Sequence, residues 1–453
     1  MSLHNLSGTG VPGERTDAVS AMRGGCPPWH GGAESSTPRS PVEGTIRADV
    51  AIVGAGITGL STAATLAALR PDLDVVVVDA GGVAAGASGS GTGLVGPRVG
   101  PSLHRLRRTR GDEIARAAHR WSQAAVAHVL ETIADGDIEC GLSPGTQLVV
   151  ASDRRAAKSL LAEGVAARAL GVEAEVVAAR HLPAAASRYL GGVRYGPAAT
   201  VDPAAYTHGL ARMCERRGVR VFEHSRVRRV EPERQPVLVT DRGRVVARRV
   251  VLAVNAFARQ LDASSNVIAL RVQAGATDPL PADVIAVLES LRTEPVIEHG
   301  DLSPYYRLTP DDRLVVGGGS VGHGSEDPDG GSRAFLDAAV RSLHPALRGQ
   351  RIVTTWSGPI AMTRDGFPVV GSRGRDEAIL HAGGCCGHGI ASSSWNGAYL
   401  ARWIATGHRD DLSDRFPWVR TSGPWIPSGR IVDRVLAQYL RRMTGSARSK
   451  LVT

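Results

Sequence analysis

The sequence predicts an α/β fold with two intimately packed domains, one built on parallel βαβ units and one, of α+β type, built on an antiparallel sheet. Three observations carry this prediction. Residues 48–78 contain an apolar run, an Ala- and Leu-rich helix pattern and a second apolar run, which together form a βαβ unit. Residues 305–316 contain strand-like runs and turn residues typical of a hairpin. The chain has 453 residues, of which 43% are hydrophobic, and this exceeds what a single core requires.

The βαβ unit opens the ordered part of the chain. Residues 1–45 are rich in Gly, Pro and Ser and have little helical or strand period, so we expect a flexible arm or an edge-packing extension there. A strand is predicted over Ala48–Val53, a helix over Gly59–Arg70 that stops before Pro71, and a strand over Asp74–Val78. Two strands joined by a helix in this way pair in parallel.

The middle of the chain returns to the βα pattern after a long insertion. Helices are predicted over residues 112–134 and 155–170. Asp202 is an N-cap residue followed by proline at the first helical position, so a third helix begins there. Strand-like runs then follow over Val219–Phe222 and Val245–Val254. The first domain is therefore predicted to be discontinuous in sequence.

The C-terminal part adds a strand over Ala378–Ala382, a glycine-rich turn over Gly383–Gly389, a helix over Ile390–Thr406 and a basic amphipathic helix over Arg430–Met443. The predicted division assigns residues 1–45 to the arm, 46–105, 200–258 and 350–410 to a cofactor-binding domain, 106–199 and 259–349 to a substrate domain, and 411–453 to a basic C-terminal extension.

The charge of the chain does not by itself identify a partner. The formal net charge is +9, and the arginines that carry it are scattered along the sequence. The densest cluster contains Arg105, Arg107, Arg108 and Arg110, with no aromatic residues between the charges to stack on bases. We expect a solvated face and no nucleic-acid partner, with steering of an acidic substrate as the alternative.

Cysteine and hydropathy patterns disfavour a zinc protein, a membrane-spanning protein and a secreted protein. The five cysteines form no CxxC pair and no Cys/His spacing suited to zinc, so we expect reduced thiols and no metal. No apolar run approaches the length of a membrane span, and the start of the chain has no signal-peptide pattern. A soluble cytoplasmic protein without a membrane span is the expectation.

A glycine motif indicates dinucleotide binding. The sequence Gly54-Ala55-Gly56-Ile57-Thr58-Gly59 is GxGxxG, and it directly follows the first predicted strand and opens the first predicted helix. Glycines at these positions allow a tight turn, close approach of backbone to a diphosphate and close packing of helix on strand. Asp79 ends the second strand, where a carboxylate can bind ribose hydroxyls. The motif indicates a Rossmann-like domain and leaves NAD and FAD both open.

Two further glycine-rich segments favour the longer cofactor. Residues 86–93, of sequence GASGSGTG, follow the second strand directly and let backbone approach the same cofactor. Residues 383–389, of sequence GGCCGHG, precede a helix and supply a second helix N-terminus with open backbone access. Two such turns, one near each end of the chain, suit FAD, which can be held at its diphosphate and again at its ring.

With these segments the chain resembles FAD-dependent oxidases of the D-amino-acid oxidase superfamily, and is most similar to γ-glutamylputrescine oxidase-like and sarcosine oxidase-like amine oxidases. The likeness runs from about residue 46 to about residue 427. It rests on the segments VAIVGAGITGLSTA, GASG, VDPAAYTHGLARMCERRGVRVFEHSRV, YYRLTPDDRLVVGGG, WSGPIAMTRDGFPVVG and GGCCGHGIASSSWNGAYLA. The resemblance implies that FAD contacts Gly54, Ala55, Gly56, Ile57, Thr58, Gly59, Asp79, Ala80, Gly86, Ala87, Ser88, Val227, Gly384, Gly387, His388, Gly389 and Ile390. Tyr306, Arg307 and His388 are the candidate catalytic residues.

The chain departs from these relatives at positions that bear on chemistry. Where sarcosine oxidase-like members carry a lysine that assists oxygen, this chain aligns Val315. Either His388 or Arg307 supplies a cation instead, or an acceptor other than oxygen takes the electrons. The covalent flavin cysteine of some relatives is missing, so we expect non-covalent FAD. Where glycine oxidase-like relatives carry a carboxylate-binding arginine, this chain has Ile360, which disfavours a simple α-amino acid unless Arg307 or Arg271 reaches the site.

The expected reaction is oxidation of a C–N bond in a small amine or amino acid. Hydride transfer to flavin N5 would give an imine and needs mainly positioning and exclusion of water. Tyr305, Tyr306 and Trp356 could line an aromatic pocket for the amine, or could serve only as packing residues. Two alternatives stay open, namely a flavin dehydrogenase or tailoring enzyme acting on an alcohol or hydroxy acid, and a non-enzymatic flavoprotein.

Overall fold

The computed structural model describes residues 23–31, 39–261, 266–300, 302–323, 331–409, 416 and 418–424. Its strands are β1 (Arg23–Gly24), β2 (Gly44–Val53), β3 (Val75–Val78), β4 (Leu94–Val95), β5 (Ser143–Val150), β6 (Ala174–Ala178), β7 (Gly191–Thr200), β8 (Arg220–Phe222), β9 (Arg229–Glu231), β10 (Val237–Val239), β11 (Gly243–Leu252), β12 (Ile268–Pro279), β13 (Val296–Glu298), β14 (Tyr305–Leu308), β15 (Arg313–His323), β16 (Thr354–Met362), β17 (Val369–Arg373) and β18 (Ile379–Gly383). Its α-helices are α1 (Ile57–Leu69), α2 (Ala87–Ser90), α3 (Leu103–Gly136), α4 (Arg154–Leu170), α5 (Pro203–Arg216), α6 (Ala282–Leu288), α7 (Gly331–Leu343) and α8 (Gly389–Thr406). The basic helix predicted over residues 430–443 lies outside the described residues.

The first sheet is the predicted parallel one. Its strand order is β17-β18-β11-β2-β3-β8, and β9 and β10 extend it as a ribbon beside β11. Strands β18, β11, β2, β3 and β8 pair in parallel, and only the outer pairs are antiparallel. The unit β2-α1-β3 confirms the predicted βαβ unit, and β11 and β18 come from later in the chain, which confirms a discontinuous construction.

The second sheet has the order β1-β16-β12-β15-β14-β13-β5-β7-β4, with β6 beside β7. It is mainly antiparallel, and only β13 and β5 pair in parallel. The hairpin predicted over residues 305–316 is present as β14 and β15. Strands β4 and β16 belong to this sheet, although their residues fall within the ranges predicted for the cofactor-binding domain. The division into domains stays a prediction.

The three largest hydrophobic cores hold these layers together. The largest lies between the parallel sheet and helices α1, α3, α5 and α8, and it contains an aromatic cluster around Trp121. A second packs α6 and α7 on the far face of the antiparallel sheet, and a third covers the other face of the parallel sheet. Helix α3 is kinked at Gly111, whose φ of 85° is not helical, so two shorter helices join end to end there.

Part of the expected flexible arm is instead packed into the fold. Strand β1 pairs with β16 at the edge of the antiparallel sheet, with Arg23 opposite Ser357. Trp29 is buried, and its ring meets that of Trp356 edge to face with ring centres 5.5 Å apart. For residues 23–31 the structure therefore shows the edge-packing extension rather than a flexible arm, because Trp29 buries a large apolar ring that an isolated segment would expose.

Among the described residues, no helix combines the length and the apolar composition that crossing a bilayer requires.

Candidate cofactor and substrate site

The turn between β2 and α1 forms a backbone cradle. Gly54 has a φ of 110°, and a Cβ there would lie 2.7 Å from the carbonyl oxygen of Ala253. A Cβ on Gly59 would lie 1.9 Å from the carbonyl oxygen of Gly54, so glycine is needed for α1 to begin this close to the strand. The first turn of α1 leaves N–H groups free to meet a diphosphate.

Asp79 fixes the shape of this cradle from the end of β3. Its carboxylate accepts hydrogen bonds from the backbone N–H of Ala55 at 2.7 Å and of Gly81 at 2.8 Å. Burial raises the pKa of Asp79, against the effect of these two hydrogen bonds. The carboxylate therefore lies beside the cradle, where the sequence places the ribose of an adenosine.

Segment 86–93 closes the cradle from the other side. The Ser88 hydroxyl accepts a hydrogen bond from the backbone N–H of Ile57 at 3.0 Å, and a Cβ on Gly56 would lie 2.7 Å from that hydroxyl oxygen. The carbonyl oxygens of Gly89 and Ser90 accept hydrogen bonds from the indole N–H groups of Trp29 and Trp356, respectively. The cofactor cradle is thereby tied to the antiparallel sheet and to the N-terminal segment.

A second turn joins β18 to α8. Gly384, Cys386 and Gly387 have positive φ angles of 72°, 51° and 87°, which bend the chain sharply before α8 begins. Asn255, after the end of β11, accepts a hydrogen bond from the Gly384 N–H at 3.0 Å and its amide nitrogen lies 3.6 Å from the Cys385 sulfur. Burial raises the pKa of both thiols, to about 11 for Cys386. Both stay protonated at neutral pH, which makes them poor nucleophiles.

His388 is the last residue before α8 and is neutral at physiological pH. Burial, together with the charge of Arg98, lowers its pKa to about 3. Its Nδ1 lies 3.3 Å from the carbonyl oxygen of Cys386. His388 therefore does not supply the cation that the sequence comparison left open, and Arg98 is the charge that acts on this turn.

One cavity of about 1220 Å³ connects the two turns with the antiparallel sheet. Of the predicted cofactor contacts, it is lined by Gly54, Ala55, Gly56, Ile57, Thr58, Asp79, Ala80, Gly86, Ala87, Ser88, Val227, Gly387, His388, Gly389 and Ile390. Gly59 and Gly384 lie just outside it and act through the backbone turns described above. The volume and a cradle that Cβ atoms would fill fit a dinucleotide with room beside it for a small substrate.

The structure corrects the placement of Tyr306. Successive strand residues face opposite sides of a sheet, and on β14 it is Tyr305 that lines the cavity. Tyr306 belongs to the core on the far face, where its hydroxyl donates to the Glu298 carboxylate at 3.3 Å. A Cβ on Gly317, opposite Tyr305, would overlap the Tyr305 ring, so this glycine makes room for the aromatic side chain.

Arg307 is also displaced from its predicted place. Its guanidinium donates to the carbonyl oxygen of Val201 at 2.7 Å and lies 5.3 Å from the centre of the Trp29 ring. The side chain is buried directly behind Gly93, where an added Cβ would meet it at 2.4 Å. Burial lowers its pKa to about 10, and it stays charged at neutral pH without lining the cavity. Arg307 thus supports the wall rather than reaching the site.

Val315 and Ile360, the two positions at which the chain departs from its relatives, differ in whether they line the cavity. Val315 is buried in a small cluster with Trp29 and Trp356 and does not line the cavity. Ile360 does line it, next to Leu270 on the paired strand β12. The cavity wall is therefore apolar at the position where glycine oxidase-like relatives carry an arginine. Arg271, the residue after Leu270 on β12, is buried and does not line the cavity, and its guanidinium lies 3.2 Å from the Ser357 hydroxyl.

Sequence reasoning missed several polar residues of the cavity. Asn255 follows β11, and the rule that ligands bind at the carboxyl ends of parallel strands could have indicated it. Gln273 is only 3% exposed and lines the cavity, and its Oε1 atom has no hydrogen-bond partner among the described residues. Nothing in the apolar sequence around Gln273 distinguishes it. Within the described ranges, no group of three His, Cys, Asp or Glu residues could hold a metal ion.

Fold and cavity together define a dinucleotide-binding α/β protein with a substrate chamber against an antiparallel sheet. Residues 49–403 match the family described as FAD dependent oxidoreductase, and the chain belongs to this family, that of D-amino-acid oxidase. It is 28% identical over 377 residues to gamma-glutamylputrescine oxidoreductase of Escherichia coli, covering 82% of this chain and 87% of that protein.

Solved structures share the fold. Glycine oxidase from Geobacillus kaustophilus superposes with a TM-score of 0.70 at 20% identity, covering 83% of this chain and 99% of that one. L-proline dehydrogenase from P. horikoshii gives a TM-score of 0.67 at 17% identity, with 84% and 98% covered. At these identities the likeness establishes the fold alone.

The protein is expected to lose stability on acidification, in part through His388. Its folded pKa of about 3 lies below the ordinary value of 6.5. Between these two pH values the unfolded chain binds a proton that the folded chain does not, so stability is present above pH 6.5 and is lost as pH falls. His128 and His381, whose pKa values are lowered to about 4, act with the same sign. Thermal unfolding of cofactor-free protein from pH 7 to pH 4 should show a smaller decrease in Tm for His388→Gln, and equal decreases would contradict this origin.

Proposed function

We propose that this protein uses non-covalent FAD to oxidise a C–N bond in a small amine or amino acid, and that it works in the cytoplasm. When bound, FAD would accept a hydride at N5 and leave the substrate as an imine. The relation to gamma-glutamylputrescine oxidoreductase supports an amine as substrate, because that protein's name specifies an amine. Oxygen or another acceptor would take up the electrons.

The observation that carries the proposal is the continuity of the cavity. It runs from the cradle at Gly54–Thr58, past the turn at Gly387–Gly389, to the apolar face of the antiparallel sheet at Leu270 and Ile360. Residues 54–58 would hold the diphosphate end of the cofactor and residues 387–389 its ring, and the apolar face at Leu270 and Ile360 would bind the amine. The apolar wall excludes water and favours the neutral form of the amine, which hydride transfer requires.

Individual side chains would bind the cofactor and the substrate. Ser88 and the α1 N-terminus would bind the diphosphate, and Asp79 would bind ribose. The positive end of α8 would stabilise negative charge at the flavin ring. Gln273 offers a buried carbonyl that has no partner among the described residues and can accept a hydrogen bond from the substrate amine. The protonated thiols of Cys385 and Cys386 support non-covalent binding of the flavin.

Anaerobic reduction of the bound flavin tests this proposal. We expect amines or amino acids to bleach the flavin absorbance of the holoenzyme, and hydroxy acids and alcohols to leave it unchanged. Admission of air, with detection of hydrogen peroxide, would then identify oxygen as the acceptor. Bleaching by hydroxy acids instead would support the alternative dehydrogenase, and a flavin that no candidate reduces would favour a non-enzymatic flavoprotein.

A further inference from the structure

We infer that Arg307 acts on the bound flavin through the cavity wall, as a fixed positive charge that makes the ring easier to reduce. It would do so without touching cofactor or substrate, because its guanidinium lies directly behind Gly93, and Gly93 lines the cavity. The inference rests on the FAD binding of the proposed function and not on amine oxidation, so the two can fail separately.

The charge of Arg307 is buried without a carboxylate beside it. The residue is 3% exposed and forms no ion pair with any described residue. Its Nη1 donates to the Val201 carbonyl oxygen at 2.7 Å, and its Nε has no hydrogen-bond partner in the described part of the chain. A buried charge that is not paired is costly for stability, and groups of this kind are typical of functional sites.

Negative charges compensate Arg307 only in part. Burial lowers the pKa of Arg307 to about 10, and the charges of Asp202 and Asp311 offset only some of that effect. The Asp202 carboxylate is held at the start of α5, where it accepts hydrogen bonds from the N–H groups of Ala204 and Ala205 at 2.9 Å. The guanidinium is therefore charged at neutral pH, and most of its field is free to act on other groups nearby.

Arg307 belongs to the sheet side of the cavity, next to which the proposed function places the flavin ring. Tyr305 and Arg307 are two residues apart on β14, so their side chains face the same side of the sheet, and Tyr305 lines the cavity. Gly93 separates the guanidinium from the cavity, and a Cβ on Gly93 would lie 2.4 Å from Nη1. One backbone layer therefore stands between this charge and the space beside the sheet.

Apolar rings keep water away from the other sides of the guanidinium. The centre of the Trp29 ring lies 5.3 Å from Arg307 Cζ. Trp29, Val315 and Trp356 belong to one buried cluster, and Val315 lies opposite Arg307 on β15. Where water is scarce the effective dielectric constant is low, so a charge acts over a longer distance with little screening. Negative charge that develops on the ring during reduction would therefore be stabilised.

The midpoint potential of the bound flavin tests the inference without a substrate. Arg307→Met removes the charge and keeps an unbranched side chain. We expect it to lower the two-electron midpoint potential by about 30 mV, which corresponds to roughly a tenfold change in the equilibrium constant. Arg307→Lys keeps a charge at this place and should recover most of the potential. An unchanged potential in Arg307→Met, or equal decreases in both variants, would overturn the inference.

Asp202→Asn changes the local charge in the opposite direction and leaves Arg307 in place. Asparagine is as good an N-cap as aspartate, so α5 should be retained. Loss of the negative charge leaves Arg307 less compensated, and the midpoint potential should rise. This variant keeps the inference testable if Arg307→Met does not fold. A potential that falls or stays constant in Asp202→Asn would contradict the inference.

The surface arginine Arg248 provides the matched control. Its side chain is 73% exposed on β11, so Arg248→Met makes the same change in net charge where solvent screens it. The midpoint potential should stay that of the unmodified protein. A decrease as large as that in Arg307→Met would show an effect of net charge alone and would refute a specific role of Arg307.

Sulfite titration of the holoenzyme provides a second readout that needs no turnover. Sulfite adds to N5 of oxidised flavin through its sulfur lone pair, and the ring takes up negative charge and loses absorbance. Arg307→Met should bind sulfite about tenfold more weakly than the unmodified protein, and Asp202→Asn more tightly. Affinities that follow the charge in a protein that no amine reduces would refute amine oxidation and retain this role of Arg307. Equal affinities in all variants would refute the role of Arg307.

Discussion

Replacement of Gly56 by Val is expected to yield folded protein without flavin. A Cβ at this position would lie 2.7 Å from the Ser88 hydroxyl, and the branched side chain would fill the space in which backbone must approach the diphosphate. The unmodified protein should be yellow and should release FAD into the supernatant on acid precipitation. The variant should show the same far-ultraviolet circular dichroism and release less than a tenth as much, that is, roughly a tenfold or greater loss.

The matched control is Gly349→Val. Gly349 is exposed and has no atom within 4 Å of an added Cβ, so this variant makes the same chemical change far from the cradle. It should retain full flavin content. Full flavin occupancy in Gly56→Val would show that the diphosphate does not bind at this turn. Flavin that stays with the acid precipitate of the unmodified protein would contradict non-covalent binding.

Replacement of Trp29 by Ala is expected to lower both stability and FAD affinity. The buried indole packs against Trp356 and Arg307 and donates its N–H to the Gly89 carbonyl oxygen at 2.7 Å. Loss of a buried tryptophan side chain typically costs about 3–5 kcal/mol of unfolding free energy. The Gly89 carbonyl also belongs to the segment that holds Ser88 against α1, so the cradle should loosen. Chemical denaturation and FAD titration of the cofactor-free protein would measure the two effects.

Trp29→Phe separates packing from hydrogen bonding. Phenylalanine keeps an aromatic ring over Arg307 but donates no hydrogen bond, so it should recover most of the stability and little of the FAD affinity. If Trp29→Ala had the same free energy of unfolding and the same FAD affinity as the unmodified protein, residues 23–31 would make no energetic contribution to the site.

The cradle could be predicted from sequence because its determinants are local. Gly54, Gly56 and Gly59 fix a turn between adjacent elements, and Asp79 lies at the end of the next strand, so spacing alone brings them together. The substrate wall depends on pairing between distant strands. The hairpin of β14 and β15 was predictable, yet only its position in the sheet decides that Tyr305 rather than Tyr306 faces the cavity.

The placement of the charged arginines and the packing of the N-terminal segment also depend on tertiary contacts that the sequence does not reveal. Arg105, Arg107 and Arg108 are indistinguishable in sequence, and tertiary placement alone decides which of them lines the cavity and which pairs with Asp112. Residues 23–31 show no helical or strand period because their strand contributes two residues and Trp29 is their one large buried side chain among those described. Periodicity over a window cannot detect contacts of this kind.

The pairing of β1 with β16 also constrains the order in which the chain can fold. Arg23 leaves the ribosome long before Ser357, and most of the polypeptide lies between them. Within the βαβ unit over residues 44–78, β2 pairs with β3 across a single helix, so this pairing can form early, since local contacts require little loop closure. Residues 23–31 must instead wait for the antiparallel sheet to be complete. We therefore expect their docking to be among the last steps of folding, and a nascent chain that ends before residue 354 to carry a finished diphosphate turn beside an N-terminal strand with no partner.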